Sequence, residues 1–196
     1  MYDYIKGEVV EIGPTEVVLD TVSIGYKLQI SLQTYSKIKA GETVKLFIHH
    51  HLREDIELFY GFFDKDERSI FQHLIEVSGI GPNTARMMLS SMTSDEIRNA
   101  IITEDINRLR GIKGIGLKTA QRLIIELKDK IVKGGGATLI TGGATVVMDS
   151  RRDEAISALL LLGFGKGNVE KVVDGILRED SSYALEALIK LSLKRL

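Results

Sequence analysis

Ser78-Gly79-Ile80-Gly81-Pro82-Asn83-Thr84-Ala85 and Lys113-Gly114-Ile115-Gly116-Leu117-Lys118-Thr119-Ala120 are near copies of one octapeptide. Each lies between two runs of helical apolar periodicity, so the Gly-Ile-Gly is a tight corner between helices and not a loop in a sheet. The glycines permit positive φ and the close approach of another backbone. Where the following helix starts, several N–H groups lack an intrahelical acceptor and the helix dipole adds positive potential, which together make a seat for one phosphate. No side chain reads a base there, so binding through such a corner is largely blind to sequence. The isoleucine between the glycines serves best as a peg into the core, fixing the corner with its amides outward. A single Gly-x-Gly corner is an ordinary connection between helices; its duplication, followed both times by Thr-Ala, points to a pair of phosphate clamps. Gly79 and Gly81 form the first, Gly114 and Gly116 the second. Lys118 and Arg122 reinforce the second electrostatically, and Lys113 adds charge just before it. In the first copy Asn83 stands where Lys118 stands in the second, so the cation is missing and Arg86 is its nearest substitute.

A formal net charge of -1 looks wrong for a nucleic-acid binder until it is divided along the chain. Residues 1–64 carry 6 Lys and Arg against 10 Asp and Glu, whereas residues 65–133 carry 12 against 9, and residues 134–196 carry 8 of each. The positive excess coincides with the two corners, as befits a protein that touches phosphates with one part and repels them with another. There is no cysteine, which excludes disulfides and thiolate metal sites and suits a reducing compartment. The start of the chain has no signal-peptide layout and no apolar run approaches membrane-spanning length, so a soluble cytoplasmic protein is expected.

Short β-rich runs at Tyr4 to Ile12, Glu16 to Asp20, Ser23 to Ile30, Val44 to His51 and Ile56 to Phe62 predict a small closed barrel of the OB type over residues 1–64. Arg53-Glu54-Asp55 joins the last two strands as a hairpin tip with adjacent carboxylates. Such a tip is ordinarily a soluble turn. If it projects toward DNA it is repelled by phosphates and acts as a wedge or fence, never as a grip. His49, His50 and His51 suggest a metal, but consecutive strand residues point to alternating faces and no third ligand joins His49 and His51, so none is expected.

From about Asp66 the period turns helical. Ile70, Phe71, Leu74 and Ile75 lead into the first corner, Ala120, Leu123, Ile124, Leu127 and Ile131 leave the second, and Thr93 to Glu96 has capping-box spacing. About five helices are expected over residues 65–133. Gly134-Gly135-Gly136 and Gly142-Gly143 mark a flexible tether over 134–148. Neither it nor Gly163-Phe164-Gly165-Lys166-Gly167 has the order of a phosphate-binding loop of a nucleotide hydrolase, so no motor resides in the chain. Residues 149–196 then give three short amphipathic helices. The run Leu159 to Leu162 exceeds what one face of a short helix buries, which leaves two readings: contact with a partner, by Leu159, Leu161, Leu162 and Phe164, or a tightly filled core.

The order of parts resembles the RuvA family of bacterial Holliday junction-binding subunits. The likeness covers essentially the whole chain, and Arg53-Glu54-Asp55 with Leu58-Phe59-Tyr60-Gly61-Phe62 carries it more specifically than the corners, which many repair proteins share. It implies a multidomain α+β chain: an OB barrel, a tandem helix-hairpin-helix domain and a UBA-like three-helix bundle. It also implies a homotetramer, one or two of which hold an open four-way junction, with Glu54 and Asp55 as an acidic pin at the crossover. The RuvB ATPase would dock on the terminal bundle and the RuvC resolvase would share the junction. No cofactor or catalytic residue is implied.

Two other classes compete. A DNA glycosylase or lyase also uses such a corner, but needs a base-flipping pocket and a catalytic carboxylate after the second corner's helix, where this chain runs into glycines and Asp129 and Lys128 have no evident pocket. A general duplex-binding scaffold module of a nuclease or ligase would have the same corners; the acidic tip and the tethered bundle speak against it.

Overall fold

The structure, a computed structural model, describes residues 2–134, 150–180 and 182–196. The chain falls into two compact units divided after Thr138.

The first unit opens with strands β1 (Tyr4–Ile12), β2 (Glu16–Asp20), β3 (Gly25–Ile30), β4 (Thr43–Leu52) and β5 (Glu57–Phe62), with a one-turn helix α1 (Leu32–Tyr35) between β3 and β4. They close into a barrel in the order β1-β2-β3-β5-β4, every neighbour antiparallel except β3 with β5. Strand alternation selects the interior: Ile5, Val9, Val17, Leu19, Leu28, Ile30, Leu46 and Ile48 all point inward and are buried. The anticipated strands are all present within about two residues of their expected ends.

Beyond its exposed first residue, Glu57, β5 is at least partly covered on both faces. Phe59 packs toward the barrel interior, while Leu58, Tyr60 and Phe62 pack against the helices that follow. Those helices are α2 (Lys65–Glu76), α3 (Pro82–Ser91), α4 (Ser94–Ile102), α5 (Ile106–Arg110) and α6 (Leu117–Gly134). Their stripes form one core in which Ile70, Phe71, Leu74, Met88, Leu89, Ile97, Leu109, Leu123 and Leu127 are buried together. Thr93 and Glu96 make the reciprocal capping box at the head of α4, as their spacing predicts.

A buried polar knot joins the barrel to the helices. Asp64 caps α2 by accepting the Glu67 amide at 2.8 Å. The Glu67 side chain turns the other way, accepting hydrogen bonds from the Ser31 hydroxyl and, at 2.7 Å, from Thr34 Oγ1. Thr34 Oγ1 in turn accepts the Phe63 amide at 3.0 Å, and Ser31 caps α1.

The second unit contains α7 (Ser150–Leu161), α8 (Lys166–Glu179) and α9 (Leu185–Arg195), packed around Ala155, Ile156, Leu159, Val169, Val173, Ile176 and Leu188. Arg152 grips Asp174 with two hydrogen bonds, at 2.5 and 3.0 Å, and Arg195 grips Glu179 with two at 2.7 Å, fastening α7 and α9 to α8. α6 ends at Gly134, one residue beyond the expected stop; the remainder of the tether expected over 134–148 lies outside the described residues.

Candidate nucleic-acid interface

The two corners share one backbone conformation. Gly79 and Gly114 both sit at φ +93°, in the left-handed region that side chains rarely adopt. Ile80 donates its amide to Val77 O at 3.0 Å and Ile115 to Ile112 O at 3.1 Å, and both isoleucines are 5% exposed, pegged into the helical core. Intrahelical bonding then begins at equivalent positions, Ala85 to Gly81 O at 3.0 Å and Ala120 to Gly116 O at 2.9 Å. Ahead of those bonds, the amides of Gly79, Gly81, Asn83 and Thr84, and of Gly114, Gly116, Lys118 and Thr119, have no acceptor among the described residues. A Cβ added at Gly81 or Gly116 would meet nothing within 4 Å, so the chain's own packing does not require glycine there. Its absence leaves the approach to the amides open.

The corners are neighbours. The Cβ position of Gly114 lies 3.7 Å from Met87 Cε and 4.0 Å from Thr84 Cγ2, both on α3. Arg122, on α6, donates to the Ser78 carbonyl of the first corner at 3.2 Å and lies 3.7 Å from Glu126. Lys113 and Lys118 are exposed beside the second corner. Arg86 is occupied differently: its Nη1 donates to Thr15 O and Gln29 Oε1, both at 2.8 Å, bracing α3 against the barrel. Asn83 accepts a 3.3 Å hydrogen bond from the hydroxyl of buried Tyr60 on β5. Burial also raises the Tyr60 phenol above its usual range, so it stays a donor.

Thr15, Gln29 and Tyr60, which brace the first corner, escape sequence reasoning. A tyrosine on an apolar strand reads as core, and only a buried phenol's need for a partner hints at more.

β4 and β5 continue past the barrel as a two-stranded ribbon. Its outer rungs, His51 with Leu58 and Leu52 with Glu57, have no third strand beside them. Arg53 N donates to Ile56 O at 2.8 Å to close the tip, where Arg53, Glu54 and Asp55 are all exposed. The histidines alternate as expected. His50 stacks on Phe59 and sits 2.9 Å from Glu57 Oε1, while His49 and His51 lie on the opposite face near Tyr60. Among the described residues no three carboxylates, histidines or cysteines are placed to hold a metal.

In the second unit the leucine run divides. Leu159 is fully buried in the bundle core and Phe164 packs partly against it, whereas Leu161 is 89% exposed and Leu162 61%. Leu159 therefore belongs to the filled core and is not available to a partner, while Leu161 and Leu162 are left on the surface. No helix among the described residues is long and apolar enough to cross a membrane.

A barrel carrying an acidic ribbon, fused to paired glycine corners with outward amides, defines the class of multidomain proteins that hold nucleic acid by its backbone. Comparison with known proteins narrows the class. The RuvA N terminal domain matches residues 1–61, the SAM-like helix-hairpin-helix tandem residues 71–129, and the RuvA C-terminal domain residues 150–196. Proteins named Holliday junction branch migration complex subunit RuvA align with the whole chain over their own whole length, from Bacteroides fragilis at 48% identity and Christiangramia forsetii at 43%. The same-named protein of Cytophaga hutchinsonii is 45% identical over 99% of both chains. The chain belongs to the RuvA family.

Proposed function

We propose that the protein is the non-catalytic, junction-binding subunit of a branch migration complex: it holds four-way DNA open, without regard to sequence, for an ATP-driven RuvB motor. The observation that carries the reading is the repeated corner, with the same φ at Gly79 and Gly114 and the same amides left without an internal acceptor. Each corner takes one phosphate through N–H groups at a helix N-terminus, and adjacent corners take phosphates along one backbone. Lys113 and Lys118 add charge to the second corner, and Arg122 reaches from α6 to the first.

A junction presents four equivalent arms, so a four-fold homotetramer offers each arm the same pair of clamps. Individually weak seats then add by proximity, and branched DNA is bound much more tightly than a straight duplex. At the centre of such a tetramer Glu54 and Asp55 face the crossover strands and keep them apart by repulsion, which lets base pairs exchange between arms. Clamps that ignore base identity let the arms slide through. Leu161 and Leu162, exposed at the end of α7, are the surface to which the motor docks. RuvC, as resolvase, acts on the same junction. The protein works in the cytoplasm, where the DNA is.

A mobility-shift comparison of a four-way junction with a linear duplex of the same sequence, across a salt series, tests this. Strong junction preference and a steep loss of affinity with salt are expected. Equal binding to both DNAs would leave only a general duplex-binding scaffold.

A further inference from the structure

The two corners share a backbone but not an electrostatic character. The first turn of α3 reads Pro82-Asn83-Thr84-Ala85 and holds no cation; Arg86, just beyond it, spends Nη1 on Thr15 O and Gln29 Oε1, and Arg122 reaches the corner from α6 only to bond the Ser78 carbonyl. The second corner has Lys113 before it and Lys118 in the first turn of α6, both exposed and with no acidic partner among the described residues. Asn83, which takes the place of the lysine, is tied instead to the barrel strand that carries the acidic ribbon, through Tyr60. Lysine at 83 has no acceptor to offer a phenol, so the Tyr60 hydroxyl and an amide at 83 are chemically matched. With Oδ1 engaged by Tyr60, the Asn83 amide group is left as an oriented, uncharged donor beside the amides of Gly81 and Thr84.

We infer that the corners are unequal clamps: the second, with Lys113 and Lys118, supplies most of the salt-dependent grip, and the first is a seat with no cation in its own turn, whose register to the acidic tip is set by Tyr60 and Asn83. This deepens, and rests on, the junction-binding reading. The chain of contacts runs from Glu54 and Asp55 down β5 to Tyr60, across to Asn83 at the head of α3, and from Ser78 through Arg122 to α6. A duplex touches the clamps alone, so it is indifferent to where the tip stands. A junction must meet clamps and tip together, and a looser register weakens only that simultaneous fit. Tyr60 and Asn83 are thus positioning residues that determine specificity for branched over linear DNA.

Affinities of the full-length protein for a four-way junction and a matched duplex, each over a salt series, decide the matter. Lys118→Gln should make the plot of log affinity against log salt shallower on both DNAs. Asn83→Lys should make it steeper, by roughly one unit per added phosphate contact. Tyr60→Phe should leave duplex affinity and both slopes unchanged while lowering the junction-to-duplex ratio about fivefold, the worth of one net hydrogen bond. Should Tyr60→Phe not fold, Asn83→Ala breaks the same bond from its exposed side; it also removes an uncharged donor from the seat, so affinity falls on both DNAs but further on the junction. An unchanged slope in Asn83→Lys, or equal losses on both DNAs in Tyr60→Phe and Asn83→Ala, overturns the inference. A wild-type protein that does not prefer junctions sinks the parent reading instead, and the slopes of Lys118→Gln and Asn83→Lys still decide whether the clamps are unequal.

Discussion

At the scale of single residues, the four corner glycines have two different reasons to be glycine. Gly79 and Gly114 answer to the backbone, because φ +93° strains any side chain whatever space surrounds it. Gly81, at φ -86°, and Gly116 answer to nothing inside the chain, since a Cβ at either meets open space. Alanine separates the two roles. Gly114→Ala should lose about 1–2 kcal/mol of stability, the usual penalty for a left-handed L-residue. Gly116→Ala should change stability by less than about 0.5 kcal/mol, yet weaken DNA binding by putting a methyl group where a phosphate approaches. Urea denaturation and a filter-binding titration on both variants check the pair; a Gly116→Ala protein that binds DNA normally would mean that no phosphate comes near that corner. The pattern Gly-Ile-Gly was legible at this scale because each glycine and each peg does its work within four residues. The partners of Arg86 and Asn83 were not, because Thr15, Gln29 and Tyr60 are brought to them only by the closed barrel.

Among the elements, strands and long helices followed from periodicity, and what escaped was the piece that joins them. α1 is a single turn, too short for a periodic signal, and Asp64 to Glu67 has the spacing of a capping box. Only half of that box forms. Glu67 instead reaches into the seam and accepts from Ser31 and Thr34, so α1 and α2 are locked by a carboxyl that is 3% exposed. Burial pushes this carboxyl above the ordinary glutamate range, opposed by the hydrogen bonds from Ser31 and Thr34 and raised further by nearby Asp64, with Lys37 pulling it down. A folded-state value above the unfolded one means that folding favours the protonated form. Its contribution is full below the ordinary glutamate range and declines as pH rises through the raised value. Glu67→Gln, which cannot ionise, should therefore gain on the wild type in thermal midpoint as pH is taken from acid to neutral. Glu67→Ala should lose about 1–3 kcal/mol at every pH, having left two hydroxyl donors buried without an acceptor. A constant difference between Glu67→Gln and wild type across that range would show that the carboxyl titrates as freely in the fold as out of it.

For the whole molecule the governing fact is segregation of charge, with 10 acidic against 6 basic residues in 1–64 and 12 basic against 9 acidic in 65–133. The excess of cations lies in the helical part, where the proposed clamps are, and the ribbon that rises from the barrel ends in exposed carboxylates. A tip that repels phosphates cannot contribute to affinity; it opposes it, over a reach set by the Debye length of about 8 Å at physiological salt. Glu54→Gln with Asp55→Asn removes that opposition and keeps the shape of the turn, whose closing bond from Arg53 N to Ile56 O is made by backbone alone. Junction binding should hold or tighten, the gain should shrink as salt is raised, and motor-driven strand exchange should change because crossover strands are no longer held apart. Gel shifts of the double variant at low and high salt, beside a branch-migration assay with the motor, measure all three. Loss of junction binding in this variant would make the tip a grip or a fold element and reverse its assigned role. Strand exchange that continues at the wild-type rate with binding intact would mean that the clamps, and not the tip, keep the arms open.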